Sequence, residues 1–221
     1  MRVPRAVLWD LDGTLVDSAE QHWESWRYAL EAEGFAVGYD QFRQTFGMRN
    51  DAILSGWLGS RASPADIKRI GDAKELRYRE LVATSGSSPL PGAAEWVHRL
   101  RGKGWRQAVA SSAPRANVDV LVKVLGLAED FDALVAAEDV KRGKPEPEVF
   151  LTAAARLQVP ADCCVVVEDA PAGIEAAGRA GMHSVGIGPP GFAPADLVVA
   201  SLAELPDDAF DRLIPGGKVR P

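Results

Sequence analysis

Two carboxylates, Asp10 and Asp12, stand two residues apart where a short apolar run ends, in the segment VLWDLDGTLVDS at residues 7–18. Side chains at i and i+2 of a strand point the same way, so the pair shares a direction. Gly13-Thr14 behind it forces a turn, which puts both acids at the mouth of a sheet edge and not inside it. Two acids held that close divide labour, one ionised as nucleophile or metal ligand, the other tuned to carry a proton. Alone the pair distinguishes little, because loops and simple metal sites carry it too.

Three further positions repeat the pattern of a polar group at an element's end. Ser111-Ser112 follows Val109-Ala110, Lys144 sits in Gly143-Lys144-Pro145 at the start of a helix, and Glu168-Asp169 ends the run 165–167. In doubly wound sheets the ligand site lies beyond the carboxyl ends of the strands, so these groups are expected to converge. Carboxylates, a hydroxyl and an amine suit phosphoryl transfer, which needs charge neutralisation, hydrogen-bond donors and an in-line nucleophile. Mg²⁺ favours carboxylate oxygens and water, and Asp10 with Asp169 could hold it. A carboxylate can also be the covalent nucleophile, splitting one hard step into two. Lys144 would neutralise the phosphate and keep Asp10 ionised beside other acids. The three histidines, His22, His98 and His183, lie in unrelated contexts, so no Ser-His-Asp arrangement is expected. Simpler roles are open as well: Ser111 suits a helix N-cap, and Glu168-Asp169 could cap the segment after Pro171.

The elements that must position these groups follow two patterns. The apolar run 6–9 has strand length, and Asp17 and Ser18 behind the acid pair offer N-caps, with Glu20 and Gln21 three residues on from each. From 19 to about 33, Trp23, Trp26, Ala29 and Leu30 recur at helical spacing, and the tryptophans read as packing. Helical stretches follow near 39–46, 51–58 and 64–82, with no strand among them. After the loop 85–89, helices at 93–101, 117–125, 147–157 and 174–180 alternate with strands at 107–110, 131–135, 163–167, 184–187 and 197–199, before a short C-terminal helix. Such alternation implies right-handed crossovers and a parallel sheet covered on both faces. The expectation is an α/β doubly wound, Rossmann-like core, residues 1–16 and 90–221, with an all-helical cap, 17–89, inserted after the first strand.

Composition narrows the function classes. The chain has 221 residues, 47% apolar and 25% charged, with a net charge of −6, which reads as an ordinary globular chain and argues against nucleic acid or an anionic membrane as partner. No apolar run approaches bilayer length, and no secretory segment opens the chain. The two cysteines, Cys163 and Cys164, are adjacent in an apolar stretch and suggest neither a disulfide framework nor a zinc site. A reducing, cytoplasmic setting and a monomer are expected.

With these motifs in order, the chain resembles the haloacid dehalogenase superfamily, specifically its phosphatases and phosphomutases with a small helical cap. The resemblance runs over essentially the whole chain: DLDGTLVDS at 10–18, the strand end at Ser111, GKPEPEVF at 143–150 and VVVEDAPAGIEAA at 165–177. It implies that Asp10 attacks phosphorus, while Asp12 protonates the leaving oxygen, later activates water, and offers its backbone carbonyl to Mg²⁺. Ser111 and Lys144 would hold phosphoryl oxygens, Asp169 would bind the metal directly, and Glu168 would bind it indirectly or orient its water. The dehalogenase branch generally lacks an acid at Asp12, so its presence favours phosphate esters.

On the cap, His22 matches the place of a histidine in β-phosphoglucomutases that positions groups at the nucleophile. Arg49 could reach a substrate's distal anion, and Lys74 could meet the core; the bland reading is an ordinary polar residue on an amphipathic helix for His22 and a solvated helix face for the stretch around Lys74. The leading expectation is a Mg²⁺-dependent phosphatase acting on a small phosphorylated metabolite, with a β-phosphoglucomutase-type phosphotransferase as the alternative. Ala113-Pro114 stands where such mutases carry polar groups, and Thr14 where they often have Val, which favours the phosphatase. A non-catalytic module that senses a phosphorylated ligand is disfavoured, because no member of the reactive set is missing.

Overall fold

The structure is a computed structural model that describes residues 4–214. Its centre is a six-stranded sheet in the order β3-β2-β1-β4-β5-β6, parallel at every pairing. The strands are β1 (Ala6–Trp9), β2 (Arg106–Ala110), β3 (Ala133–Val135), β4 (Cys164–Glu168), β5 (His183–Ile187) and β6 (Leu197–Val199). The chain leaves β1 for β2 and β3 on one side, then returns to the other side of β1 for β4, β5 and β6. That reversal opens a crevice at the carboxyl ends of β1 and β4.

Both faces of the sheet are covered, which is why its strands read as unbroken apolar runs. Alternation divides β1 between two cores. Val7 and Trp9 pack with α5 (Ala93–Gly102), α6 (Arg115–Val124) and α9 (Ala209–Leu213), whereas Ala6 and Leu8 face α7 (Glu148–Leu157) and α8 (Pro171–Arg179). The buried Trp9 indole N–H is satisfied by Gln107 Oε1 at 3.0 Å.

Between β1 and β2 the chain is helical: α1 (Ala19–Glu31), α2 (Tyr39–Thr45), α3 (Asn50–Leu58) and α4 (Pro64–Ser85). These helices bury a core of their own that includes Trp26, Leu30, Phe42, Leu54, Trp57 and Ile70, with Trp26 and Trp57 edge-on at 5.2 Å. The tryptophans of α1 therefore pack, as their spacing predicts. The start of α4 is secured by Pro64 and by a capping box between Ser63 and Asp66. Its far end is different: Tyr78 and Val82 belong to the core beneath the sheet, so one helix is shared by both bodies.

The elements match the expected alternation, with informative differences at their ends. α8 begins at Pro171 and not near 174, because a proline at the first helical position has its φ already set. Ser18 occupies the N-cap position of α1 but makes no capping hydrogen bond. Its hydroxyl donates to Asp12 instead, so its side chain belongs to the acid pair. Ser111 is no helix cap either; α6 starts after Pro114, and Ser111 Oγ accepts from the Ala113 N–H at 3.0 Å inside the turn.

Candidate active site

Strand register brings the polar ends together. Trp9 lies opposite Val167 on one side and Val109 on the other, so Asp10, Glu168 and Ser111 emerge at nearly one level. The Asp10 N–H donates to Val167 O at 2.9 Å, and the Ser111 N–H to Val135 O at 3.0 Å. From the loop before α7, the buried Lys144 ammonium donates to Asp10 Oδ1 and to Glu168 Oε1, the latter at 2.7 Å. Glu168 Oε2 accepts from the Ala170 N–H at 2.7 Å, and Asp169 Oδ1 accepts from Thr14 Oγ1 at 2.9 Å. Oxygens of Asp10, Glu168 and Asp169 lie within 4.8 Å of one another.

Two glycines permit this crowding. Gly13 has φ +87°, and a Cβ there would stand 2.2 Å from Asp169 Oδ2. A Cβ on Gly173 would stand 1.8 Å from Glu168 Oε1. The Gly-Thr turn after the acid pair thus does two jobs, with its glycine making room for Asp169 and its threonine holding it.

The charges of this cluster do not balance on their own. Burial pushes Asp10 well above the usual carboxylate range; Lys144 opposes, and Glu168 and Asp169 add to the rise. Burial and the neighbouring Glu168 push Asp169 up to about 7 against Thr14 and Lys144. Burial would pull Lys144 down, but Asp10 and Glu168 outweigh it and hold it above its ordinary value. One ammonium therefore faces three carboxyl groups, two of them buried and Asp169 partly so. The set fits a hard divalent cation, which takes carboxylate oxygens and relieves that repulsion.

Asp12 sits in a separate environment. Its Oδ1 accepts from Ser18 Oγ at 2.6 Å and from the Tyr78 hydroxyl at 3.2 Å, and contacts His22 Nε2 at 3.0 Å. Lys74 Nζ lies 2.8 Å from His22 Nδ1 and 2.7 Å from Glu75 Oε1. An ammonium has no lone pair, so Nδ1 accepts and the Nε2–H is left to donate to Asp12. Burial raises Asp12, but His22, Ser18 and the Lys74 charge bring it down to about 2. The acid pair is thus split electrically: Asp10 lies against a lysine and two acids, Asp12 against donors from the helical segment between β1 and β2.

Asp10, Asp12, His22, Ser111 and Lys74 line one cavity closed from above by Phe46, Met48 and Asn50. Its free space is about 40 Å³, room for a few waters and not by itself for a phosphorylated sugar. Ser112 is in the same wall. Arg49 stands outside this cavity, its guanidinium donating to the Ala137 and Val140 carbonyls at 3.0 and 3.2 Å.

Lys74 is no solvated surface group; it is 2% exposed. Tyr78, Thr14 and Glu75 were not singled out as site residues from their types. A signal existed for one of them, Tyr78, since Lys74, Tyr78 and Val82 recur every fourth residue as one buried stripe of α4. Nothing local marks Thr14 as a partner of a residue 155 positions away.

The model of the haloacid dehalogenase-like hydrolase family matches residues 4–181. Hexitol phosphatase A of Escherichia coli (strain K12) is 34% identical over 210 residues, covering 91% of this chain and 93% of that one. β-Phosphoglucomutase of Bacillus subtilis (strain 168) is 32% identical over 209 residues, covering 91% of each. The crystal structure of a β-phosphoglucomutase from Clostridium difficile superimposes with a TM-score of 0.87 at 27% identity, covering 96% of this chain and 97% of that one. With the sheet order, the acid cluster and these likenesses together, the chain belongs to the haloacid dehalogenase-like hydrolases, in their branch of phosphatases and phosphomutases.

Proposed function

We propose that the protein is a Mg²⁺-dependent phosphatase that hydrolyses a small phosphorylated sugar through an aspartyl-phosphate on Asp10. The observation that carries this reading is the meeting of Asp10, Glu168, Asp169 and Lys144 at one crevice, with Asp12 beside them on a separate set of donors. An Asp10 oxygen forms the bond to phosphorus while the ester P–O bond breaks, and the leaving oxygen takes a proton from Asp12. Water then attacks the same phosphorus and gives a proton to Asp12, releasing inorganic phosphate and the free Asp10 carboxylate. Asp12 at about 2 is ionised, as the second step requires. A phosphate dianion arriving beside it raises its proton affinity, which loads it for the first.

Lys144 and the Ser111 segment neutralise and orient the phosphoryl oxygens. Asp10, Glu168 and Asp169 would hold the Mg²⁺, with the Asp12 carbonyl as a further ligand. The ion supplies positive charge to the phosphoryl group. Residues 17–89 act as the cap that closes over the site and excludes water. His22 orients Asp12 in this scheme.

Two observations favour hydrolysis over a mutase reaction. Arg49, the cap cation suited to a second phosphate, is engaged with backbone carbonyls, and Ala113-Pro114 offers no polar side chain beyond Ser111 and Ser112. The test is phosphate release from p-nitrophenyl phosphate and a panel of hexose and hexitol phosphates with Mg²⁺, repeated with EDTA. Release that EDTA abolishes is expected. Conversion of β-glucose 1-phosphate to glucose 6-phosphate without free phosphate would establish the mutase instead.

A further inference from the structure

The helical wall of the cavity carries a buried carboxylate, Glu75, that the phosphoryl chemistry leaves unused. Glu75, 6% exposed, accepts on Oε1 from Lys74 Nζ at 2.7 Å and from Asn50 Nδ2 at 2.6 Å, and on Oε2 from Asn117 of α6. Burial raises this carboxyl, but the Lys74 charge and the hydrogen bonds from Asn50 and Lys74 hold it below the usual carboxylate range, so it is an anion. The Lys74 charge is thereby matched within the wall.

Past Asn50, Glu75 and Ser112 the cavity adjoins a cleft of about 660 Å³ between α3, α4 and the loops after β2 and β3. All three residues line both spaces. Ser112 Oγ is buried at this junction and finds no partner among the described residues. The cleft's further charges are not those of an anion site. Lys68 is paired with Asp72 at 2.6 Å, Arg49 lies 3.3 Å from Asp51, and Glu138 adds another carboxylate.

We infer that the leaving alcohol lies past Asn50, Glu75 and Ser112, that it is a neutral polyhydroxylated sugar or polyol, and that Glu75 excludes substrates bearing a second phosphate. The inference rests on the phosphatase reading and narrows it. Carboxylate, amide and hydroxyl together accept from and donate to vicinal hydroxyls. A phosphate dianion placed there loses its water and meets no unmatched cation, because Glu75 already neutralises Lys74. Asn50, Glu75 and Asn117 brace one another, so the wall cannot simply turn its carboxylate away.

The experiment compares kcat/KM for fructose 6-phosphate, fructose 1-phosphate and hexitol monophosphates with that for fructose 1,6-bisphosphate. p-Nitrophenyl phosphate is run in parallel with the same wild-type protein and Mg²⁺. At least one monophosphate should exceed the bisphosphate by about tenfold or more, a discrimination within reach of one misplaced charge. Glu75→Gln should narrow that ratio by about tenfold. If neither p-nitrophenyl phosphate nor any sugar phosphate is hydrolysed, the phosphatase reading itself fails. If phosphate is released but the bisphosphate is used as well as the monophosphates, or no sugar or polyol phosphate is used at all, the leaving-group assignment is overturned. An unchanged ratio in folded Glu75→Gln removes Glu75 from the selection, and the wild-type ratio decides the substrate class even if that variant does not fold.

Discussion

Asp10 and Asp12 are two positions apart, yet their surroundings push their proton affinities in opposite directions. That split is what allows one carboxyl to bond phosphorus while its neighbour moves protons. Asp10→Asn removes the attacking oxygen, and phosphate release with Mg²⁺ should fall to background. Asp12→Ala keeps the nucleophile and loses proton transfer, so turnover should drop by about 10²–10⁴. Equal and mild losses in the two variants would contradict the division of roles. Gly13→Ala tests the metal side: its φ of +87° and the 2.2 Å approach to Asp169 leave no room for a methyl group. The half-saturating Mg²⁺ concentration for that variant should rise; if it stays at the wild-type value, Asp169 is not held as described.

At the level of elements, the site is a consequence of β1 lying between β2 and β4, and of α4 reaching from one hydrophobic core to the other. α4 is 22 residues long, begins in an exposed capping box and ends under the sheet, with Tyr78 donating to Asp12. Ser63→Ala removes the accepting hydroxyl at its N-terminus and should cost about 1 kcal/mol in denaturant unfolding. A midpoint unchanged from wild type would mean that the first turn of α4 frays before the cooperative transition. The same helix shows how function was partly concealed. Lys74, Glu75 and Tyr78 sit in a stretch, KELRYREL, rich enough in charge to read as solvent-facing, but its buried side is the one that meets His22 and Asp12.

For the whole molecule, the acid cluster couples stability, metal and pH. In the unfolded chain an aspartate ionises near 3.9, whereas Asp169 in the fold holds its proton up to about 7. Between those values the folded state binds the extra proton, so this group's contribution falls as pH rises from about 4 to about 7. A divalent cation requires the carboxylate and binds only the folded site, so its stabilising effect should grow across the same window. Thermal unfolding at pH 5, 6, 7 and 8 with and without Mg²⁺ should give a difference in Tm that widens with pH. A difference that is constant or shrinks would exclude Asp169 as a titrating ligand.

Much of this is legible in the sequence, for reasons that are local. An apolar run ended by Asp-x-Asp-Gly-Thr specifies a strand, a turn and two acids; alternating periodicities specify a parallel sheet with an inserted helical segment. Lys144 and Glu168-Asp169 are recognisable because each ends or opens an element at a loop. The partnerships were not legible, because they join positions far apart through packing and register. Thr14 holds Asp169, Lys74 reaches Asp12 through His22, Ser18 abandons its cap for the same carboxylate, and Arg49 turns to the backbone beyond β3. The sequence by itself determined which chemistry the chain carries, since residue types and turn-forming spacings are properties of short segments. Only the tertiary structure decided which of those groups share a proton, a cation or a wall, since that depends on where strands 100 or more residues apart come to lie side by side.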